Sequence, residues 1–214
     1  MAEDKAKNDP DESNRPLFWD IVVLLTPYLP EETISSIFNE SLEMTKADNA
    51  TIQKKAWRLM EQIASNQNEV CSKIIDQNIK LIVEQMMVTL STCAASARKP
   101  RLQLLEIILE KIENVEFLKR IIPELVICTK DNNTMSRTLA FRILSSICQK
   151  FLDKGEEIDS EPVLAFIQIL LQDWSKNDPV GFSILIHFES IELYQVWNRS
   201  NRKIAIKSIW MLQI

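Results

Sequence analysis

The chain has 214 residues, is 46% hydrophobic, carries a formal net charge of −5, and contains only two glycines, Gly155 and Gly181. Hairpin turns need residues at positive φ, and phosphate-cradling loops such as GxGxxG or GxxxxGKS/T need clustered glycines, so hairpin-rich β folds and Rossmann or Walker nucleotide sites are excluded. The acidic balance excludes a generic polyanion binder, and the absence of any apolar run of about 18 residues excludes a membrane-spanning helix.

Residues 1–16, "MAEDKAKNDPDESNRP", are polar and mixed in charge. They read as a disordered lead-in rather than a secretory leader, so an intracellular protein is expected. Residues 17–26, "LFWDIVVLLT", form an almost wholly apolar helix stopped by "PYLPEE". A second helix is predicted at about 31–45, with Ile34, Ile37, Phe38 and Leu42 on one face. "KADNA" then supplies Asp48 or Asn49 as an N-cap. In "TIQKKAWRLMEQI", residues 51–63, the residues Ile52, Ala56, Leu59, Met60 and Ile63 make one apolar stripe at i, i+4, i+7, i+8 and i+11.

A longer helix is predicted over 75–93, with Ile75, Ile79, Ile82, Met86 and Leu90 in its stripe. "SARKP" is read as a break, after which "RLQLLEIILEKI" (101–112) starts again. Residues 116–131 pack Leu118, Ile121, Ile122, Leu125 and Val126, with a kink expected at Pro123, which has no N–H to donate. "DNNT" caps a helix carrying Ala140, Ile143, Leu144, Ile147 and Phe151. Beyond an acidic loop, Ser160 and Pro162 open another helix through Trp174, and Asp178 caps one that begins with Pro179. No segment alternates with period two long enough to make a strand.

The stretch 51–63 returns at 136–147 as "SRTLAFRILSSI". Ala56 falls on Ala140, Trp57 on Phe141, Arg58 on Arg142, Leu59 on Ile143, Met60 on Leu144 and Ile63 on Ile147. Second-helix landmarks at Ile63, Ile112 and Ile147 are 49 and 35 residues apart, which brackets the ~40–47-residue unit of two-helix HEAT or armadillo repeats. One helical pair cannot bury its own apolar face and must stack on a neighbour, which repeats the requirement. The expected fold is therefore all-α, an α-solenoid of four to five HEAT-like units over residues 17–214.

Catalytic chemistry finds no support. The single histidine, His187, sits in the apolar "ILIHFE" and reads as core. Cys71, Cys93, Cys128 and Cys148 form no CxxC pair and read as buried free thiols. Glu31–Glu32 and Glu156–Glu157 lie at helix starts or in loops, where they serve caps and solubility, and Trp19, Trp174 and Trp197 read as packing. No enzyme activity, cofactor or metal is expected.

The bases are sorted along the chain. Residues 94–112 hold Arg98, Lys99, Arg101 and Lys111 against Glu106 and Glu110, and the tail 198–214 holds four bases and no acid. Equivalent positions of successive second helices line one surface in a solenoid. Lys54, Lys55 and Arg58, then Arg98, Lys99 and Arg101, then Arg137 and Arg142 thus make a candidate ladder for phosphates or an acidic partner. The competing reading is that each base lies on the solvated face of an amphipathic helix. No aromatics interleave with the bases as a single-strand stacking platform requires.

The blocks "PYLPEE", "IQKKAWRLMEQI", "ARKPRLQLL", "IIPELVICTKDNN" and "SRTLAFRILSSI", in this order over residues 17–152, resemble the ribosomal RNA-processing protein twelve-like family of armadillo-like ribosome biogenesis factors. The resemblance implies a non-enzymatic nuclear and nucleolar protein that associates with pre-ribosomal particles. It also implies a role in processing and export, RNA binding, and contact with nuclear transport factors. Candidate contacts are the matching bases from Lys54 through Arg142. Members of that family are several times longer, so the chain is expected to be a fragment or a shortened relative. A protein-only HEAT-repeat adaptor is the alternative.

Overall fold

An apolar stripe at i, i+4 and i+7 is buried only when another helix meets it. In the computed structural model of the chain, which describes residues 15–66 and 68–153, each stripe finds such a neighbour. Seven α-helices follow one another among these residues: α1 (Arg15–Leu25), α2 (Glu31–Met44), α3 (Ala50–Ser65), α4 (Glu69–Val88), α5 (Ala95–Ile108), α6 (Val115–Cys128) and α7 (Thr134–Asp153). Short 3-10 turns at Thr26–Tyr28 and Leu109–Lys111 finish α1 and α5.

The helices pack in two rows. Helix α3 lies against α1 and α5, whereas α2 lies against α4 and α4 against α6; α2 and α4 also cross α3. Every second helix therefore shares a row, which is the α-solenoid arrangement of stacked helical pairs. Helices α3, α5 and α7 start at Ala50, Ala95 and Thr134, spacings of 45 and 39 residues (95 − 50; 134 − 95). The chain divides into two compact units between Ile143 and Leu144.

The recurring block occupies the core. Ala56, Trp57, Leu59, Met60 and Ile63 are fully buried, and so are Ala140, Phe141, Ile143, Leu144 and Ile147. Trp19 packs with Val22, Val23, Ile37 and Leu59, so α1 is tied to both rows. Burying each such large side chain stabilises the fold by about 1.5–3 kcal/mol.

Asn49 is the cap of α3; its side chain accepts from the N–H groups of Thr51 and Ile52. Asn133 does the same for α7, accepting from Ser136 N at 3.1 Å. Helix α6 runs on through Pro123 to Cys128.

One boundary is corrected. "SARKP" is not a break: α5 begins at Ala95 and carries Pro100 inside it. A proline there removes a single helix bond, the one to the carbonyl of Ser96, and Ser96 is exposed, so water can serve that carbonyl. The Pro100 ring is itself buried. The preceding helix is also displaced: α4 starts at Glu69 and ends at Val88, which leaves Leu90 in the following turn.

The helices expected at 160–174 and from Pro179, the N-terminal lead-in, His187, Trp174, Trp197, Glu156–Glu157 and the basic tail lie outside the described residues. No helix among the described residues is long and apolar enough to cross a membrane.

Candidate functional site

The recurring arginine is an inter-repeat latch. Arg58 Nη1 of α3 lies 3.7 Å from Asp20 Oδ1 of α1, and Lys55 binds the same carboxylate. Arg142 of α7 reaches back to Glu106 of α5, with Nε 3.0 Å from Oε1 and Nη2 3.2 Å from Oε2. In each case the base grips an acid two helices back along the chain. Both arginine side chains are about half exposed, so each pair contributes no more than about 1 kcal/mol. Arg58→Ala and Arg142→Ala are each expected to cost less than about 1 kcal/mol in urea unfolding at low salt, and the loss should shrink at high salt. A larger, salt-insensitive loss would show packing rather than charge at work.

Arg101 takes a different place. It shares the buried stripe of α5 with Ala97, Leu104, Leu105 and Ile108 and is 3% exposed. Its guanidinium pairs with Glu124 of α6, donates to the Met86 carbonyl of α4 at 2.8 Å, and lies 5.5 Å over the Trp57 ring of α3. Burial pushes the Glu124 carboxyl above the usual carboxylate range, and Arg101 opposes that rise. Arg101 therefore joins four consecutive helices and presents nothing to an external partner.

Arg137 acts locally. It donates to the carbonyls of Asp131 (3.0 Å) and Asn132 (3.3 Å) and to Thr134 Oγ1 (3.2 Å), fixing the loop between α6 and α7.

The remaining three predicted bases converge. Lys54, Arg98 and Lys99 line an open concavity of about 450 Å³ where α3, the start of α5 and the α6–α7 loop meet. Lys130, Asp131, Asn132, Asn133 and Ser136 line its other side. Arg98 Nη1 lies 3.4 Å from Asp131 Oδ2, and Asp131 Oδ1 accepts from Asn133 N at 2.8 Å, so the one acid of the rim is engaged.

The buried Gln53 positions this site. Its Nε2 donates to the carbonyls of Ala47 (2.7 Å) and Thr92 (3.2 Å), and its Oε1 accepts from Ala94 N at 2.8 Å. The start of α5 is thereby held against the start of α3. Sequence reading missed Gln53, although it stands in register with Ala56, Trp57 and Met60, at i+3, i+4 and i+7. It missed Lys130 as well, which falls in a turn where periodicity carries no information.

Among the described residues no three His, Cys, Asp or Glu side chains are grouped to hold a metal. Cys71 and Cys128 are free and buried, and Cys93 is free and partly buried.

No family model matches the chain. Curated proteins do. An RRP12-like protein of Gallus gallus is 25% identical over 138 residues, 64% of this chain. Its Homo sapiens counterpart is 28% identical over the same length, and the ribosomal RNA-processing protein 12 of Saccharomyces cerevisiae is 29% identical over 157 residues, 70% of this chain. The chain is similar to ribosomal RNA-processing protein 12. It spans only 11–12% of the length of these RRP12 relatives. The resemblance seen in the sequence blocks is thus to proteins that share this name from yeast to vertebrates.

Proposed function

We propose that the chain is a non-enzymatic helical-repeat scaffold in ribosome biogenesis, acting in ribosomal RNA processing and in the maturation and export of pre-ribosomal subunits. The observation that carries this reading is the similarity, over about two thirds of the chain, to proteins named for ribosomal RNA processing in distant species. The two-row stack supports it by supplying an extended surface suited to large partners. The partners are pre-ribosomal particles, met through RNA or ribosomal proteins, with nuclear transport factors as further partners. The place of action is the nucleus and nucleolus, with shuttling to the cytoplasm.

The test is recovery of pre-ribosomal particles on the tagged chain, with and without ribonuclease, together with a salt titration of binding to a ribosomal RNA fragment. RNA contact through lysine and arginine predicts that log K falls linearly with log salt. Retention of the same partners after ribonuclease, with no RNA affinity at any salt, replaces the scaffold on RNA by a protein-only adaptor.

A further inference from the structure

The concavity between α3, α5 and the α6–α7 loop deepens that reading and rests on it. We infer that it is a seat for RNA backbone phosphate, built by Lys54, Arg98, Lys99 and Lys130.

Among the described residues four cations and one acid line the concavity, a local balance of +3 (4 − 1) in a chain whose net charge is −5. The bases come from three separate elements: Lys54 from α3, Arg98 and Lys99 from α5, and Lys130 from the turn after α6. Among the described residues Arg98 alone of the four has an ion-pair partner, Asp131. Lys54 and Lys130 are exposed, and their ammonium groups stand ready for an outside anion.

The backbone adds to the charge. Helix α5 starts in this concavity, and Ala94 provides no side-chain oxygen to cap it. No acid stands in its first turn. The N–H groups of Ala95 and Ser96 and the positive end of the helix therefore favour an anion at the same place as the four cations.

The remaining lining decides between classes of anion. Ser96, Asn132, Asn133 and Ser136 add hydroxyl and amide groups of the kind that bind phosphate and ribose oxygens. Among the described residues Ala95 and Pro100 are the only apolar side chains on the lining, and neither forms the deep slot that the large apolar anchors of protein interfaces occupy. Among the described residues no aromatic side chain lines the concavity either, so the contact is with the backbone and independent of sequence.

The experiment uses the intact chain and a single-stranded RNA of mixed sequence, with fluorescence anisotropy followed over a range of potassium chloride concentrations. Two variants with the same net charge are compared: Lys54→Gln/Lys99→Gln/Lys130→Gln at the concavity, and Lys73→Gln/Lys80→Gln/Lys119→Gln on α4 and α6. Single-stranded contacts contribute about 0.7 each to the slope of log K against log salt. The concavity variant is expected to lose about 2 from that slope and at least tenfold in affinity, with the α4–α6 variant close to the unaltered chain.

Equal losses in both variants would show attraction to net charge alone and overturn the seat. An unaltered chain that binds RNA, beside a concavity variant that binds equally well, overturns the seat while leaving the RNA scaffold intact. An unaltered chain that binds no RNA, yet holds polyglutamate through these same lysines, overturns the occupant and the RNA reading together.

Discussion

Arg101→Leu is expected to destabilise the fold by about 3–5 kcal/mol at neutral pH, because it leaves the partly buried Glu124 carboxylate without its countercharge. The Met86 carbonyl loses a donor and the Trp57 ring loses the cation above it. The penalty should depend on pH. Burial already holds the Glu124 carboxyl above its ordinary range, and removing Arg101 raises it further. A carboxyl raised in the folded state binds more protons there than in the unfolded chain, so stability falls as pH rises between the unfolded and folded values. Acidification therefore relieves the variant more than the parent, and the difference in urea unfolding should be smaller at pH 5 than at pH 7. The double variant Arg101→Met/Glu124→Leu, which removes both charges, should recover most of the loss. A penalty independent of pH, or a double variant as weak as the single, would show that Arg101 acts through volume alone.

Trp57→Ala is expected to cost about 3–5 kcal/mol, while Trp57→Phe should cost less than about 1.5 kcal/mol. Trp57 is fully buried on α3, the helix that touches both rows, so alanine there opens a cavity at their junction. Phenylalanine retains an aromatic face for Arg101 and disposes of an indole N–H that is buried with no hydrogen-bond partner among the described residues. Natural domains hold only about 5–15 kcal/mol in reserve, so the alanine variant should unfold at markedly lower urea than the phenylalanine variant. Equal midpoints for the two would mean that the site relaxes around the smaller residue.

What could be read from the sequence was whatever depends on helical period. The repeated block, its buried face and the Asn49 cap all follow from residues within one or two turns of each other, and the structure shows each of them. Arg58 and Arg142 were recognisable as equivalents, but their role was not. The acids they hold stand on the helix before last, and Glu106 is 36 residues before Arg142. Only the row arrangement brings them together.

Arg101 was legible in principle. It lies three, four and seven residues before Leu104, Leu105 and Ile108, in the middle of an apolar stripe. Reading Pro100 as a terminator hid that register, because a helix restarted at Arg101 puts it at an exposed end. The concavity was half legible: Lys54, Arg98 and Lys99 belong to helices whose phase can be counted, whereas Lys130 joins them through a turn that no period describes.

The thiols show what nearest-neighbour stacking means for motion. Burial pushes the Cys128 thiol up to about 12 and raises Cys71 as well, so neither forms the reactive thiolate while its helix is in place. Each becomes a clock that runs only when its own stretch of backbone breathes. Because α4 lies against α6, an opening that bares Cys71 on α4 also loosens the helix that carries Cys128, so the two thiols are expected to become reactive together.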